Sequence, residues 1–187
     1  MLKLKKIAIT GSLGAGKTTV CNLFKQLGAT YVSTDKIVHN LLSPSLMSGQ
    51  QVIALLGNEI VVDGQIDRNE IAKRVFQDRA LLNQLEHIIH PEVLKELERK
   101  YLETNSLFIA EVPLLFEAGF ETFFHVTICV VSDKKRECKT TMTEARIARM
   151  LSKQALINRS DIVIENNGTM QELKTHVQTL YNQLIQS

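Results

Sequence analysis

The 187-residue sequence holds only three cysteines and three prolines, and its apolar residues nowhere run on for the ~18 positions that a membrane helix needs. Cys21, Cys129 and Cys138 are odd in number and never spaced as C-x-x-C. They exclude a disulfide scaffold and read as small buried hydrophobes in a reducing compartment. Neither sign of charge predominates: 22 Lys and Arg oppose 20 Asp and Glu, a formal +2 with a pI near 8.4. The strong basic excess of a dedicated nucleic-acid binder is missing. Internal repeats and low-complexity linkers are absent too, and with 44% hydrophobic and 22% charged residues the composition excludes disorder and collagen. The start, Met1-Leu-Lys-Leu-Lys-Lys, is basic like a signal peptide, but Ile7-Ala-Ile-Thr10 gives way at once to a Gly-rich turn. That is too short for a secretory apolar region. The expectation is one soluble, cytoplasmic domain, with no membrane or nucleic-acid partner.

What is present is alternation of strand and helix patterns. Leu4 to Thr10 reads as a buried strand stopped by Gly11. Val20, Leu23, Phe24 and Leu27 fall at helical spacing, and Gly28 stands where a C-terminal glycine ends a helix. Thr30 to Ser33 is a second strand, so the chain opens as a parallel α/β sheet does. Residues 41–105 change character and predict helices: one through Val52 to Leu56, one opened by an N-cap at Asp67 with Glu70 and running through Ile71, Val75 and Phe76, one over Leu81 to Ile89, and a long one begun by Pro91. Strands resume at 107–110, 126–131 and 162–164. A basic stretch from Asp133 to Arg159 carries a helical segment at Ala145 to Leu151, and Thr169-x-x-Glu172 is a capping box for a last helix.

The chemistry sits in Gly11, Ser12, Leu13, Gly14, Ala15, Gly16, Lys17 and Thr18, which match G-x-x-x-x-G-K-[ST] between a strand and a helix. Glycines let successive N–H groups point inward at an anion, and the adjoining helix adds the positive end of its dipole. Lys17 reaches β and γ phosphates, and the Thr18 hydroxyl takes one position on an octahedral Mg²⁺; Thr19 belongs to the same turn. With Gly at ~7% of residues, chance gives such a match in under about one chain in a hundred of this size. The sequence thus predicts nucleoside triphosphate binding.

Use of the triphosphate is a separate question. Asn-Lys-x-Asp and a suitably placed Asp-x-x-Gly, which a GTPase switch requires, are lacking, and Leu46-Met-Ser-Gly-Gln50 is only a faint echo of an ABC signature. A small-molecule kinase fits better, since it needs a carboxylate near the γ phosphate to orient and deprotonate an acceptor hydroxyl. Asp35, after the second strand, is the leading candidate, with the N-cap of a helix starting at Lys36 as its other reading. Glu111, ending the third main strand, either holds Mg²⁺ through water or makes a plain salt bridge.

Several segments together resemble the dephospho-coenzyme A kinase family: residues 10–18, Ser33-Thr-Asp35, Asp63-Gly-Gln-Ile-Asp-Arg68, Leu85-Glu-His-Ile-Ile-His90-Pro91, Glu111-Val-Pro-Leu-Leu-Phe-Glu117 and Asp161-Ile-Val-Ile-Glu-Asn-Asn-Gly168. The resemblance implies a three-layer P-loop kinase fold with a parallel five-stranded sheet. Its core would comprise 1–40 and 106–187, with a helical CoA-binding insertion at 41–105 and a lid at about 133–160. It further implies ATP and Mg²⁺, and dephospho-CoA as the small-molecule acceptor; the expected assembly, which the resemblance does not itself give, is a monomer or weak homo-oligomer. Asp35 matches the base for the ribose 3′-hydroxyl. Arg68, His90, Pro113 and Leu114 match the acceptor side, and Asn166, Asn167 and Gly168 match the loop beside the adenine. Two departures stand out: Ser33 replaces an aspartate frequent in the family, and the lid is short by about ten residues between Val131 and Arg146. The family's lid arginines then have only Arg136, Arg146 and Arg149 as candidates, and Met150 falls where the family usually has Gln. Two rival readings stay open, a nucleoside or nucleoside-monophosphate kinase and a catalytically silent ATP-binding module.

Overall fold

The computed structural model describes residues 5–75, 78–134 and 149–186. Phe76, Cys138, Arg136 and Arg146, and the expected helical residues 145–148, lie outside them. Five parallel strands form one sheet in the order β2-β5-β1-β6-β7: β1 (Lys6–Gly11), β2 (Thr30–Ser33), β5 (Phe108–Glu111), β6 (Val126–Val131) and β7 (Ile162–Glu165). Their near-continuous apolar runs are what a sheet covered on both faces requires, and Ile7, Ala8, Ile9 and Thr10 of the middle strand are all fully buried. Strand β1 pairs on one side with β5, Ile7 opposite Ile109, and on the other with β6, Ile7 opposite Val126. The chain therefore changes sides of the sheet beside the carboxyl end of β1, where open α/β sheets bind ligands.

Two helices cover one face. Helix α1 (Lys17–Gln26) sends Val20, Cys21, Leu23 and Phe24 into a core that Leu173, Val177, Leu180 and Leu184 complete from the C-terminal helix, Met170–Gln186. The predicted cap of that last helix is present: Thr169 Oγ1 accepts from Glu172 N at 3.2 Å while Glu172 Oε2 accepts from Thr169 N at 2.6 Å. Gly28 ends α1 as expected, its N–H donating to Lys25 O at 3.0 Å.

The described residues fall into two compact units, 5–33 with 100–134 and 150–186, and 34–75 with 78–99 and 149. The second holds α2 (Thr34–Leu41), α3 (Met47–Leu56), a 3-10 turn at Asn58–Ile60, a hairpin of β3 (Val61–Val62) and β4 (Gln65–Ile66), α4 (Arg68–Val75) and most of α5 (Arg79–Leu102). Asp67 caps α4 as predicted, Oδ1 accepting from Asn69 N at 2.6 Å. Between the expected helices, residues 61–66 form a hairpin, because Asp63 and Gly64 both take left-handed φ (51° and 75°), the conformation of a tight two-residue turn. Two expectations need correction. The segments on either side of Pro91 are one 24-residue helix: proline removes a single N–H donor without ending α5. Finally, residues 149–151 are not helical; the helix that follows among the described residues is α6 (Lys153–Arg159), capped by Ser152 Oγ, which accepts from Ala155 N at 3.2 Å. With α6 placed, the C-terminal helix is α7.

Candidate active site

The first unit carries the turn from Gly11 to Thr18 that the sequence predicts to bind phosphate. Strand β1 ends at Gly11, with φ 139°, where an added Cβ would fall 1.9 Å from Val130 O; only glycine lets the chain pass β6 this closely. Ser12 N then donates to Val130 O at 3.1 Å, and Gly16, with φ 94°, turns the chain into α1. The first turn of α1 has neither a side-chain cap nor an acidic residue, so its leading N–H groups and dipole face the turn uncompensated. Lys17 Nζ donates to Gly11 O at 3.0 Å and Ser12 O at 2.9 Å, folded back on the loop it would share with phosphates. Ser12 Oγ is shielded from solvent without a hydrogen-bond partner. A glycine-built turn, an orphaned hydroxyl and a lysine resting on neutral carbonyls together fit a polyphosphate.

Glu111 closes the other side. At the carboxyl end of β5 and only 8% exposed, it accepts from Thr18 Oγ1 at 2.8 Å and from the Tyr31 hydroxyl at 2.6 Å. A hydroxyl and a carboxylate are the hard oxygen donors that suit Mg²⁺, which keeps its remaining positions for phosphate oxygens and water. Among the described residues no cluster of three His, Cys, Asp or Glu side chains could hold a metal by itself. Beneath the pair lies Cys21, whose thiol is pushed far up by burial and further by the Glu111 charge, with Lys17 opposing, so it stays protonated and inert. Burial likewise raises Cys129.

The loops after β6 and β7 are stitched together. Asn166, 4% exposed, donates from Nδ2 to Ala15 O at 2.8 Å and from its backbone N to Val131 O at 2.8 Å. The side chain expected near a base thus braces the phosphate turn. Asn167 donates to Asp133 Oδ2 at 2.9 Å, Asp133 N donates back to Asn167 Oδ1 at 2.8 Å, and Lys134 Nζ reaches Gly168 O at 2.9 Å. A cavity of about 300 Å³ opens beside this loop, lined by Glu165, Asn166, Gly168, Thr169, Glu172, Leu173 and His176, and by no residue of the phosphate turn. Pro113 is buried and Leu114 half-buried; Pro113 O accepts from Thr10 Oγ1 at 3.4 Å. Leu151 N donates to Glu117 Oε1 at 2.7 Å, fixing the chain ahead of α6.

The remaining candidates belong to the second unit. Helix α2 starts at Thr34 and not at Lys36, so Asp35 stands half-buried inside the first turn and is not its cap. Arg68 is exposed at the first position of α4, where the helix dipole disfavours a cation; local stability does not explain it. His90 on α5 is half-buried, and burial lowers its pKa, with Glu86 opposing and Arg149 and His87 adding to the effect. Near neutral pH its imidazole is uncharged. The Arg149 guanidinium is held by Glu86 Oε1 at 2.6 Å.

Reasoning from sequence missed Tyr31 and the brace made by Asn166. The signal for Tyr31 was its place two residues before Ser33 on one strand, hence on one face with it.

Comparison with known proteins shows the family. The chain is 42% identical over 199 aligned residues to the dephospho-CoA kinase of Protochlamydia amoebophila, with 98% of each chain covered. That span exceeds the 187 residues of this chain, so the relative has residues that this chain lacks. With the dephospho-CoA kinase of Chlamydia trachomatis serovar D the identity is 40%, again over 98% of each. Among solved structures, a Thermus thermophilus protein superposes with a TM-score of 0.83 at 27% identity, covering 97% of this chain and 98% of the other. The dephospho-CoA kinase of Campylobacter jejuni, at 22% identity and a TM-score of 0.71 over 96% of each chain, shares the fold. The family model described as dephospho-CoA kinase matches residues 5–172, which take in the phosphate turn, Asp35, Glu111 and the Asn166 loop, and this chain belongs to that family.

Proposed function

We propose that this protein transfers the γ-phosphoryl group of ATP to the ribose 3′-hydroxyl of dephospho-CoA, releasing CoA and ADP. The observation that carries the reading is a family match spanning an intact phosphate turn in which Thr18 and Glu111 are already hydrogen-bonded. The amides of 11–18 and the dipole of α1 bind the polyphosphate, and Lys17 exchanges the carbonyls of Gly11 and Ser12 for β and γ oxygens. Thr18, with Glu111 through water, would hold Mg²⁺, which supplies charge neutralisation on those oxygens when bound. Asp35 orients the 3′-hydroxyl and takes its proton.

Arg68 offers a cation to an acceptor phosphate, whereas neutral His90 offers a hydrogen bond to a ribose or amide group. The helical unit grips the long pantetheine arm. With Arg149 committed to Glu86, the cation stabilising the transferring phosphoryl group is Arg136 or Arg146. Asn167 and Gly168 adjoin the adenine. We place the enzyme in the cytoplasm, as a monomer or weak homo-oligomer; among the described residues no helix is long and apolar enough to cross a membrane.

The test is ADP release, coupled to a reporter, with dephospho-CoA, nucleosides and nucleoside monophosphates offered in turn. Turnover only with dephospho-CoA is expected. Folded protein that binds ATP but gives no acceptor-dependent ADP would overturn the assignment.

A further inference from the structure

We infer that Tyr31 is a positioning residue for the metal pair: its hydroxyl fixes the Glu111 carboxylate, which in turn orients the Thr18 hydroxyl with its lone pairs free for the cation. The inference rests on the proposed use of Mg²⁺ and concerns a residue to which that reading gives no part.

The geometry starts in the sheet. In the parallel pairing of β2 with β5, Tyr31 is opposite Ile109 and Ser33 opposite Glu111. Tyr31 and Glu111 are therefore diagonal neighbours, and strand alternation puts residues 31, 33, 109 and 111 on one face. The ring of Tyr31 packs against the core that includes Ile109, Cys21 and Phe24, and its hydroxyl meets Glu111 Oε2 at 2.6 Å. On the other oxygen, Thr18 Oγ1 donates to Oε1 at 2.8 Å.

The rotor of a threonine hydroxyl decides whether it can serve a metal. It has one proton and two lone pairs, and a cation needs a lone pair. A proton given to Glu111 Oε1 leaves Thr18 acceptor-only toward anything else, the state a metal ligand must have. That state lasts only while Oε1 keeps its place. Glutamate has three rotatable bonds, so the carboxylate needs a second anchor, and a phenol held by its ring in the core is a stiff one. The bond is charge-assisted, of the stronger class. Outer-shell partners of this kind typically alter metal affinity 10- to 100-fold.

The test measures ATP binding by calorimetry with and without Mg²⁺, on the full chain, for wild type, Tyr31→Phe, Glu111→Ala and the double variant. Phenylalanine keeps the ring and removes only the hydroxyl. Expected is a fall of about tenfold in the affinity gained on adding Mg²⁺, with metal-free ATP affinity within about twofold of wild type. In the Glu111→Ala background the same change is expected to do nothing further, since Tyr31 acts through that carboxylate. An unchanged gain in Tyr31→Phe, equal losses with and without metal, or an effect that persists without Glu111 each overturn the inference. Should Tyr31→Phe not fold, Mn²⁺ titration of wild type and Glu111→Ala by electron paramagnetic resonance, read against Tyr31→Trp, puts the same question. A wild type whose ATP affinity ignores Mg²⁺ would overturn the proposed Mg²⁺ site as well, an outcome distinct from the other three.

Discussion

Asn166→Ala separates a brace from a base-binding side chain. The amide of Asn166 is buried and donates to Ala15 O at 2.8 Å, across 151 residues of sequence, and Ala15 itself is 1% exposed. Removing the donor leaves that carbonyl shielded from water without this partner, a loss of about 1–3 kcal/mol. For a domain of this size each kcal/mol moves Tm by about 2–4 °C, so a fall of several degrees is expected in nucleotide-free protein. Ala15 lies in the middle of the phosphate turn, and its freedom weakens ATP and inorganic triphosphate alike. Differential scanning calorimetry gives the first number and calorimetric titration with the two ligands the second. A side chain that touched only adenine would leave Tm unmoved and triphosphate binding intact, and that result would refute the brace.

Gly11→Ala places a Cβ against the Val130 carbonyl in a backbone that L residues rarely adopt, and is expected to destabilise by about 2–5 kcal/mol, read as a lower urea midpoint; an unmoved midpoint contradicts it. Asp35→Asn keeps size and hydrogen-bonding capacity but loses the base, so turnover drops by about 10²–10⁴ with ATP affinity nearly unchanged. Lost ATP binding would mean that Asp35 does not serve as base. For His90 the folded pKa lies below its ordinary 6.5, so above that value both folded and unfolded chains hold it neutral. As pH falls through about 6.5 the unfolded chain takes the proton first, and stability declines until the folded pKa is passed. Urea melts between pH 7.5 and 5 should show this slope reduced in His90→Gln; identical slopes would exclude the burial effect.

The sheet was legible because its strands are apolar runs bounded by glycine or polar residues. Lys6–Gly11, Thr30–Ser33 and Val126–Val131 all fall within a residue or two of their expected limits. Elsewhere local signals compete. Pro91 reads as a helix start because proline favours that position, yet a helix already buried through Ile89, Val93 and Leu97 tolerates one missing donor. The Asp63-Gly64 pair announces a two-residue turn, but its flanking strands are only two residues each, too short to show alternation.

The site divides along the same line. A cradle made of backbone is written in glycine spacing, since φ and close approach restrict the residue type directly, and Gly11 to Thr18 could be read off. Side chains that act across the fold leave no such mark. Tyr31 is an ordinary strand aromatic until the register sets Ser33 opposite Glu111 and brings the phenol diagonally to the carboxylate. Asn166 is an ordinary turn residue until its amide is seen on Ala15. In both cases the partner is distant in sequence: Tyr31 meets Glu111 because β2 pairs with β5, and both Glu111 and Asn166 reach the turn after β1 because β1 lies between β5 and β6, so that the carboxyl ends of the strands on either flank come to lie beside it. The middle strand thus sets which side chains can tune the turn: Glu111 arrives from one flank with Tyr31 behind it, and Asn166 from the other by way of β7. A phosphate site at the centre of a parallel sheet is supported from both directions, and its supporting residues are found by tracing strand order outward and not by scanning along the chain.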